Sequence, residues 1–380
     1  MEPSEKRSLR ELFPVTRQLV YLNHAAVGPL STRAYAAIEA QARDQRDYGA
    51  LHWRAWYAEY DLLRAAAARL LNADANEIAI LKNTSEGLSF VAEGYPWREG
   101  DNVITTDLEF PSNATPWKAL QRRGVECRVL RSRDGAYAPV DIEGLIDDRT
   151  RIVTVSSVAF HNGFVADLDA IGAICARRGV LLCVDAIQSL GVLPIDVRRS
   201  NIAFLAADGH KWLCATEGAA IFYVAAEHRQ KLQVLENGWT NIARRGKFIE
   251  CPTDLLPDAR RFEAGSLNTN GIYALRAALD LLFETGIESI AAEVLRITNH
   301  LAAELEKAGW TIGSPRPIRS GILGATPPTV ESGTLMRIHR HLEEHGIITA
   351  PREGMIRFSP HFYNDETDVA RVIEAISRIP

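Results

Sequence analysis

Two short stretches of the 380-residue chain place charged residues where apolar strands should end. In residues 180–188 a continuously apolar run gives way to Asp185 and then Gln188. A carboxylate at the end of a buried strand is costly without a cationic partner. A protonated pyridine nitrogen is such a partner, and the carboxylate keeps that ring an electron sink. Gln188 follows closely enough to hydrogen-bond a ring substituent. In residues 206–212, Asp208, Gly209, His210 and Lys211 follow another apolar run. A buried ammonium loses its hydration, whereas a Schiff base on Lys211 avoids that loss and supplies a covalent anchor. Each stretch also has a plainer reading, with Asp185 as a cap at a strand-to-helix turn and Lys211 as a lysine reaching the surface.

Two further strand ends carry other chemistry. After the run ending at Leu81, Asn83, Thr84, Ser85 and Glu86 lead into a helical pattern. Free backbone N–H groups and a hydroxyl at a helix N-terminus make a phosphate site, with Thr84, Ser85 and Glu86 as candidates. An ordinary N-cap with Glu in the first turn accounts for the same letters. Beyond residues 102–106 stand Glu109 and Phe110. Phe110 either stacks on a planar ligand or fills the core. Each signal is weak alone. In chain order, however, a phosphate cup, a stacking aromatic, a pyridine-pairing acid and an anchoring lysine each fall at a strand end.

Residues so placed need a sheet whose strands finish together. Runs at 77–81, 102–106, 126–130, 151–157, 180–184, 202–206 and 219–224 alternate with helical stretches such as 168–178. Several are continuously apolar, as strands covered on both faces are. The pattern predicts an α/β domain with a mostly parallel seven-stranded sheet between helices, and ligands of such sheets sit beyond the carboxyl ends of the strands. Stretches around 33–71 and 273–283 read as further helices. After about Gly286 the register changes. A helix at 289–308 precedes short strands near 310–312 and 321–326, and a helix at 334–345 stops at Gly346. Strand residues 347–350, continuing near 356–359, and a helix at 365–377 close the chain. The expected organisation is a large domain over 22–285 and a smaller α+β domain built from 1–21 and 286–380.

Composition removes other classes. With 47% apolar and 24% charged residues, the chain can bury a sizeable core and extensive disorder is not expected. A net charge of -5 leaves no basic footprint for nucleic acid, and the cluster Arg244, Arg245 and Lys247 reads as a solvated loop. The five cysteines are odd in number and lack C-x-x-C spacing, which argues against a disulfide scaffold and suits the cytoplasm. No apolar run approaches the length of a membrane span, and the charged N-terminus lacks a secretory signal's apolar stretch. His341 to His345 match the zinc-protease pattern H-x-x-E-H. A polar helical face explains them without metal, and none is expected.

Together these stretches resemble the class V aminotransferase family of fold type I pyridoxal 5′-phosphate (PLP) enzymes, which includes cysteine desulfurases and an isopenicillin N epimerase-like branch. The similarity runs from Tyr21 to Asn364 and is most specific at 184–189, 208–211 and 261–269. It implies that Lys211 forms the Schiff base and shuttles protons, that Asp185 pairs with the pyridine nitrogen, and that Gln188 meets the phenolic oxygen. By the same resemblance, Thr84 or Ser85 with His210 would hold the phosphate. Gly265 and Ser266 would reach the phosphate of a neighbouring subunit, implying a homodimer with shared active sites. Arg357 would bind the carboxylate of a small amino-acid substrate, a task suited to guanidinium. Asn162 or His161, and His24 with Trp239, are further substrate-side candidates.

The departures are equally specific. Desulfurases carry a nucleophilic cysteine on a loop ahead of the arginine, whereas here only residues 350–354 precede Met355, Ile356 and Arg357. Phe110 stands where they have a stacking histidine. Asp208 replaces a serine near the phosphate and is expected to turn towards backbone N–H groups. Transamination is therefore the leading expectation. C–S lyase or desulfurase-like β-elimination and epimerisation are the alternatives, and a non-catalytic PLP-fold binding protein is the reading from another class.

Overall fold

The computed structural model describes residues 3–244, 246–247, 249–329 and 333–379, so Arg245 of the basic cluster lies outside the described residues. Seven strands form the main sheet: β1 (Ile78–Leu81), β2 (Asn102–Thr106), β3 (Glu126–Leu130), β4 (Thr150–Ser156), β5 (Leu181–Asp185), β6 (Ile202–Asp208) and β7 (Ala220–Val224). Their spatial order is β1-β7-β6-β5-β4-β2-β3. All neighbours run parallel except β7, which is antiparallel to both β1 and β6. The expected α/β architecture is thus present, with each strand within two residues of the sequence reading. β1, β2, β6 and β7 are buried along their whole length. Apolar side chains from both faces enter separate clusters under the covering helices, which is why these runs read as continuously apolar. β3 is the partly exposed edge and carries Glu126 and Arg128 outwards, charges that discourage pairing with another chain.

The stretch read as helical over 33–71 is two helices, Thr32–Tyr48 and Trp53–Leu71. Gly49, at φ 60°, breaks the run because that conformation is open to glycine at little cost. Helix Thr32–Tyr48 packs against Thr269–Thr285. In it Gln41 is 2% exposed with neither amide atom hydrogen-bonded. An unmade bond in a buried amide costs about 1–3 kcal/mol, so Gln41→Met is expected to stabilise the fold by roughly 1 kcal/mol. A higher Tm in thermal denaturation would bear this out, and a lower one would refute it.

A second, antiparallel sheet takes the order Ala350–Arg352, Met355–Phe358, Leu323–Thr326, Thr311–Ile312. Val20–Tyr21 pairs in parallel with Ile347–Ile348, joining the N-terminal arm to the C-terminal part. The continuous strand expected from 347 is interrupted. Its second half turns back at Glu353 and Gly354, at φ 44° and 78°, the backbone of a type I′ hairpin turn. This tight hairpin leaves no room for a long loop before Arg357. Among the described residues, no helix is long and apolar enough to cross a membrane.

Candidate active site

β1, β2, β4, β5 and β6 all end at one edge of the main sheet, and a cavity of about 300 Å³ opens there. β5 delivers Asp185, 2% exposed, whose Oδ1 accepts the Ile187 N–H at 3.0 Å. The loop after β6 delivers Lys211, 9% exposed. Burial pushes the Asp185 carboxyl up to about 6 despite that N–H and the nearby lysine. Burial likewise pulls the Lys211 ammonium down to about 8, against the attraction of Asp185 and with the help of Arg357. Desolvation therefore makes the lysine easier to deprotonate, the neutral amine becoming the majority form above about pH 8. The Lys211 segment is seated by Gly28, whose N–H donates to His210 O at 2.6 Å. A Cβ at Gly28 would lie 2.1 Å from the Lys211 carbonyl oxygen, so only glycine permits this approach.

The helix Thr84–Gly94 points its first turn at the same cavity. Its N-cap is Asn83, whose side chain accepts the Glu86 N–H at 2.9 Å. The hydroxyls of Thr84 and Ser85 are thereby released from capping and line the cavity. Thr84 Oγ1 accepts the Asp208 N–H at 2.9 Å, leaving its own hydrogen to donate, and Ser85 Oγ donates to Ser112 at 2.7 Å. Gln188 accepts from Trp212 Nε1 at 2.9 Å and donates to Ala25 O at 3.0 Å, so one amide hydrogen remains free. Phe110 is 40% exposed, not a core residue, and its ring centre lies 5.6 Å from Lys211 Nζ.

Two guanidinium groups close the far side. Arg357, 2% exposed, donates to Phe160 O at 2.7 Å and to Asn23 Oδ1 at 3.4 Å, while its buried Nε has no partner. Burial and the neighbouring Arg352 lower it to about 9. Arg352 also lines the cavity and, among the described residues, bonds only the Pro351 carbonyl, at 2.7 Å. Because Ala350 pairs with Arg357 and Arg352 with Met355, alternation puts both arginines on one face of the hairpin. The sequence reading missed Arg352. Its signal was an arginine five residues before Arg357, but the intervening turn had to be known.

Other expectations are corrected. His24 is fully buried, with one ring nitrogen on Ser359 O at 2.8 Å and the other on Tyr363 Oη at 2.6 Å, so it does not line the cavity. Asn162 is already engaged, donating to Gly135 O of a preceding turn at 2.8 Å and accepting from Phe164 N–H of its own loop at 3.1 Å. The Glu86 carboxylate turns away from the cavity to the Lys82 N–H and ammonium. Asp208 meets no backbone N–H: Oδ2 lies 3.0 Å from His210 Nδ1 and Oδ1 is buried without a partner. His161 and Trp239 do not line this cavity either; Gly265 and Ser266, expected at a neighbouring subunit's phosphate and not at their own, also lie outside it. His341 Nε2 lies 2.9 Å from Ala375 O and His345 Nδ1 2.8 Å from His341 O, so carbonyl oxygens engage this histidine pair.

The sequence profile described as Aminotransferase class-V matches residues 20–372. The chain belongs to this class V aminotransferase family. It is thus an enzyme of a PLP-dependent family, and the binding-protein reading is set aside. Over 98% of its length it is 30% identical to a probable cysteine desulfurase of Methanothermobacter thermautotrophicus, 97% of which is covered. Over 97% it is 29% identical to the uncharacterized aminotransferase YcbU of Bacillus subtilis, of which 96% is covered. Among solved structures, a mutant of C-DES with glycine covalently linked to the PLP cofactor superposes with a TM-score of 0.92 at 25% identity, covering 98% of this chain and 99% of that one. The cystine C–S lyase C-DES in complex with its reaction product cysteine persulfide gives 0.91 at 25% identity, over 96% and 99%.

The class V site fits PLP in its donor set. A buried acid, a desolvated amine, the free Thr84 hydroxyl hydrogen at a helix start and a free amide hydrogen surround one cavity. Each matches one polar group of the cofactor: ring nitrogen, aldehyde, phosphate and phenolic oxygen.

Proposed function

We propose that this enzyme is a PLP-dependent C–S lyase that cleaves a cystine-type amino acid by β-elimination. The observation that carries the reading is the pair Arg352 and Arg357, two guanidinium groups on one cavity wall with no carboxylate of the described residues bound to either. One substrate carboxylate satisfies one of them, and a disulfide-linked amino acid brings a second. Transamination, the leading expectation from sequence, has no comparable support, and the desulfurase and lyase relatives favour the alternative. A desulfurase that forms a protein persulfide is disfavoured here. No cysteine lines the cavity, and burial pushes the Cys127 thiol up to about 11 and those of Cys175 and Cys214 up to about 12.

Bound PLP supplies an aldehyde that captures the substrate amine and a cationic ring that withdraws electrons from Cα. Lys211 would hold that aldehyde first, then take the proton from Cα as the β-carbon–sulfur bond breaks. Asp185 would keep the ring nitrogen protonated, and Thr84, Ser85 and His210 would anchor the phosphate. Arg357 would fix the α-carboxylate so that the Cα proton faces Lys211 Nζ. With cystine and one water, which hydrolyses the eliminated enamine, the products would be pyruvate, ammonia and cysteine persulfide, the persulfide leaving in solution with no protein thiol to receive it. Gly265 and Ser266, with the homodimer they imply, belong to the same proposal.

The test is incubation of the PLP-loaded enzyme with L-cystine, L-cysteine and L-alanine, with assays for pyruvate, ammonia and persulfide. Cystine should be the preferred substrate. Arg352→Gln should reduce kcat/KM for cystine by roughly 10–100-fold, the value of one charge-assisted contact, with a smaller effect on monocarboxylic substrates. Amino-group transfer to a keto acid without sulfur release would overturn the reading.

A further inference from the structure

We propose that Glu109 is a positioning residue whose carboxylate sets the Phe110 ring over the Lys211 amine. Phe110 is 40% exposed, and the ring packed on it is Phe160, edge-on at 5.2 Å. With two-fifths of its surface open, the ring is held only in part by packing. The adjoining side chain does more. Glu109 Oε1 accepts from Thr106 Oγ1 at 2.9 Å and from Ser156 N–H at 3.0 Å. Oε2 accepts from Ser156 Oγ at 2.5 Å and from Asn113 Nδ2 at 2.7 Å. The other atom of that amide, Asn113 Oδ1, accepts from Trp117 Nε1 at 3.0 Å and Thr154 Oγ1 at 2.7 Å. Residues on both sides of Phe110 are therefore tied to β4, at Thr154 and at Ser156.

The anchor point is specific to the site. Ser156 is the β4 residue in register with Asp185 on β5. One network thus references the aromatic above the cavity to the strand end that carries the acid. It also requires a carboxylate. The Ser156 N–H cannot turn, and the Asn113 amide is held in one orientation by the Trp117 N–H; these two fixed donors meet different oxygens of Glu109. A glutamine has one acceptor oxygen and must turn its NH2 towards the other donor, whereas the hydroxyls of Thr106 and Ser156 can rotate to adapt. Desolvation raises the Glu109 carboxyl to about 7, against the Ser156 and Asn113 donors and with a contribution from nearby Asp185.

This inference rests on the assignment of PLP to the cavity, and its test separates the two. Glu109→Ala, Glu109→Gln, Phe110→Ala and the Glu109→Ala/Phe110→Ala pair are compared in full-length protein. The readouts are the PLP dissociation constant and the induced circular dichroism of bound PLP, which reports how asymmetrically the ring is held. Each Glu109 variant and Phe110→Ala should weaken PLP binding by about 3–10-fold, the range of one aromatic stacking contact, and diminish the dichroism. The pair should be no weaker than the worse single variant, because both remove the same contact. Additive losses, or unchanged dichroism in Glu109→Gln, would overturn the inference while leaving the PLP assignment standing. Failure of the unmodified protein to bind PLP would sink both.

Discussion

Lys211→Ala is expected to abolish covalent attachment of PLP and to reduce turnover by on the order of 10⁴-fold, the upper range for losing a positioned acid–base group. The cause is local. Lys211 is buried at the strand-end edge of the main sheet, and desolvation brings it to about 8, so its amine is far easier to deprotonate than an exposed lysine's and can act as nucleophile and base. No other lysine lines the cavity. The unmodified protein should show a visible absorption band that borohydride removes, with the cofactor then retained through denaturation. The variant should bind PLP without either property. A Lys211→Ala protein that cleaves cystine at near the parental rate would end the proposed mechanism.

Asp185→Asn should lower kcat by roughly 10²–10³-fold, as removal of one preorganised charge does in other sites. Asparagine keeps the shape and an acceptor for the Ile187 N–H, so the loss isolates the charge. A second effect follows with a definite sign. In the apo protein the rate of PLP capture should rise with pH through about 8, where Lys211 loses its proton. Asp185 favours the ammonium form; without its charge the amine deprotonates at lower pH, and the midpoint moves down. Stopped-flow absorbance of apo protein mixed with PLP across pH 6 to 10 measures this. A midpoint that stays or moves upwards would show that the two groups are not coupled.

Both predictions concern residues visible before any coordinates. Asp185, Gln188 and Lys211 announce themselves because burial is recorded locally: a run such as 202–206 is apolar throughout, and a charge directly after it has few inexpensive explanations. Thr84 and Phe110 were ambiguous for a related reason. Capping and phosphate binding use the same residue types, and the tie is broken only because Asn83 takes the cap. Phe110 could have been core until its exposure was known.

The sequence by itself determined the strand periodicity, the order of the strand ends and the pair of buried charges, since each depends on neighbours within one element. The tertiary structure alone decided which side chains were already engaged. His24 is occupied by residues more than 330 positions away, and Asn162 by a carbonyl 27 positions away. It also decided that Arg352 and Arg357 share one face, because the turn at Glu353 and Gly354 sets the pairing register. Glu109 acquires its meaning from a strand 47 residues further along the chain. Hydrogen-bond partners are chosen by proximity after folding, and no pattern confined to a window of sequence encodes that choice.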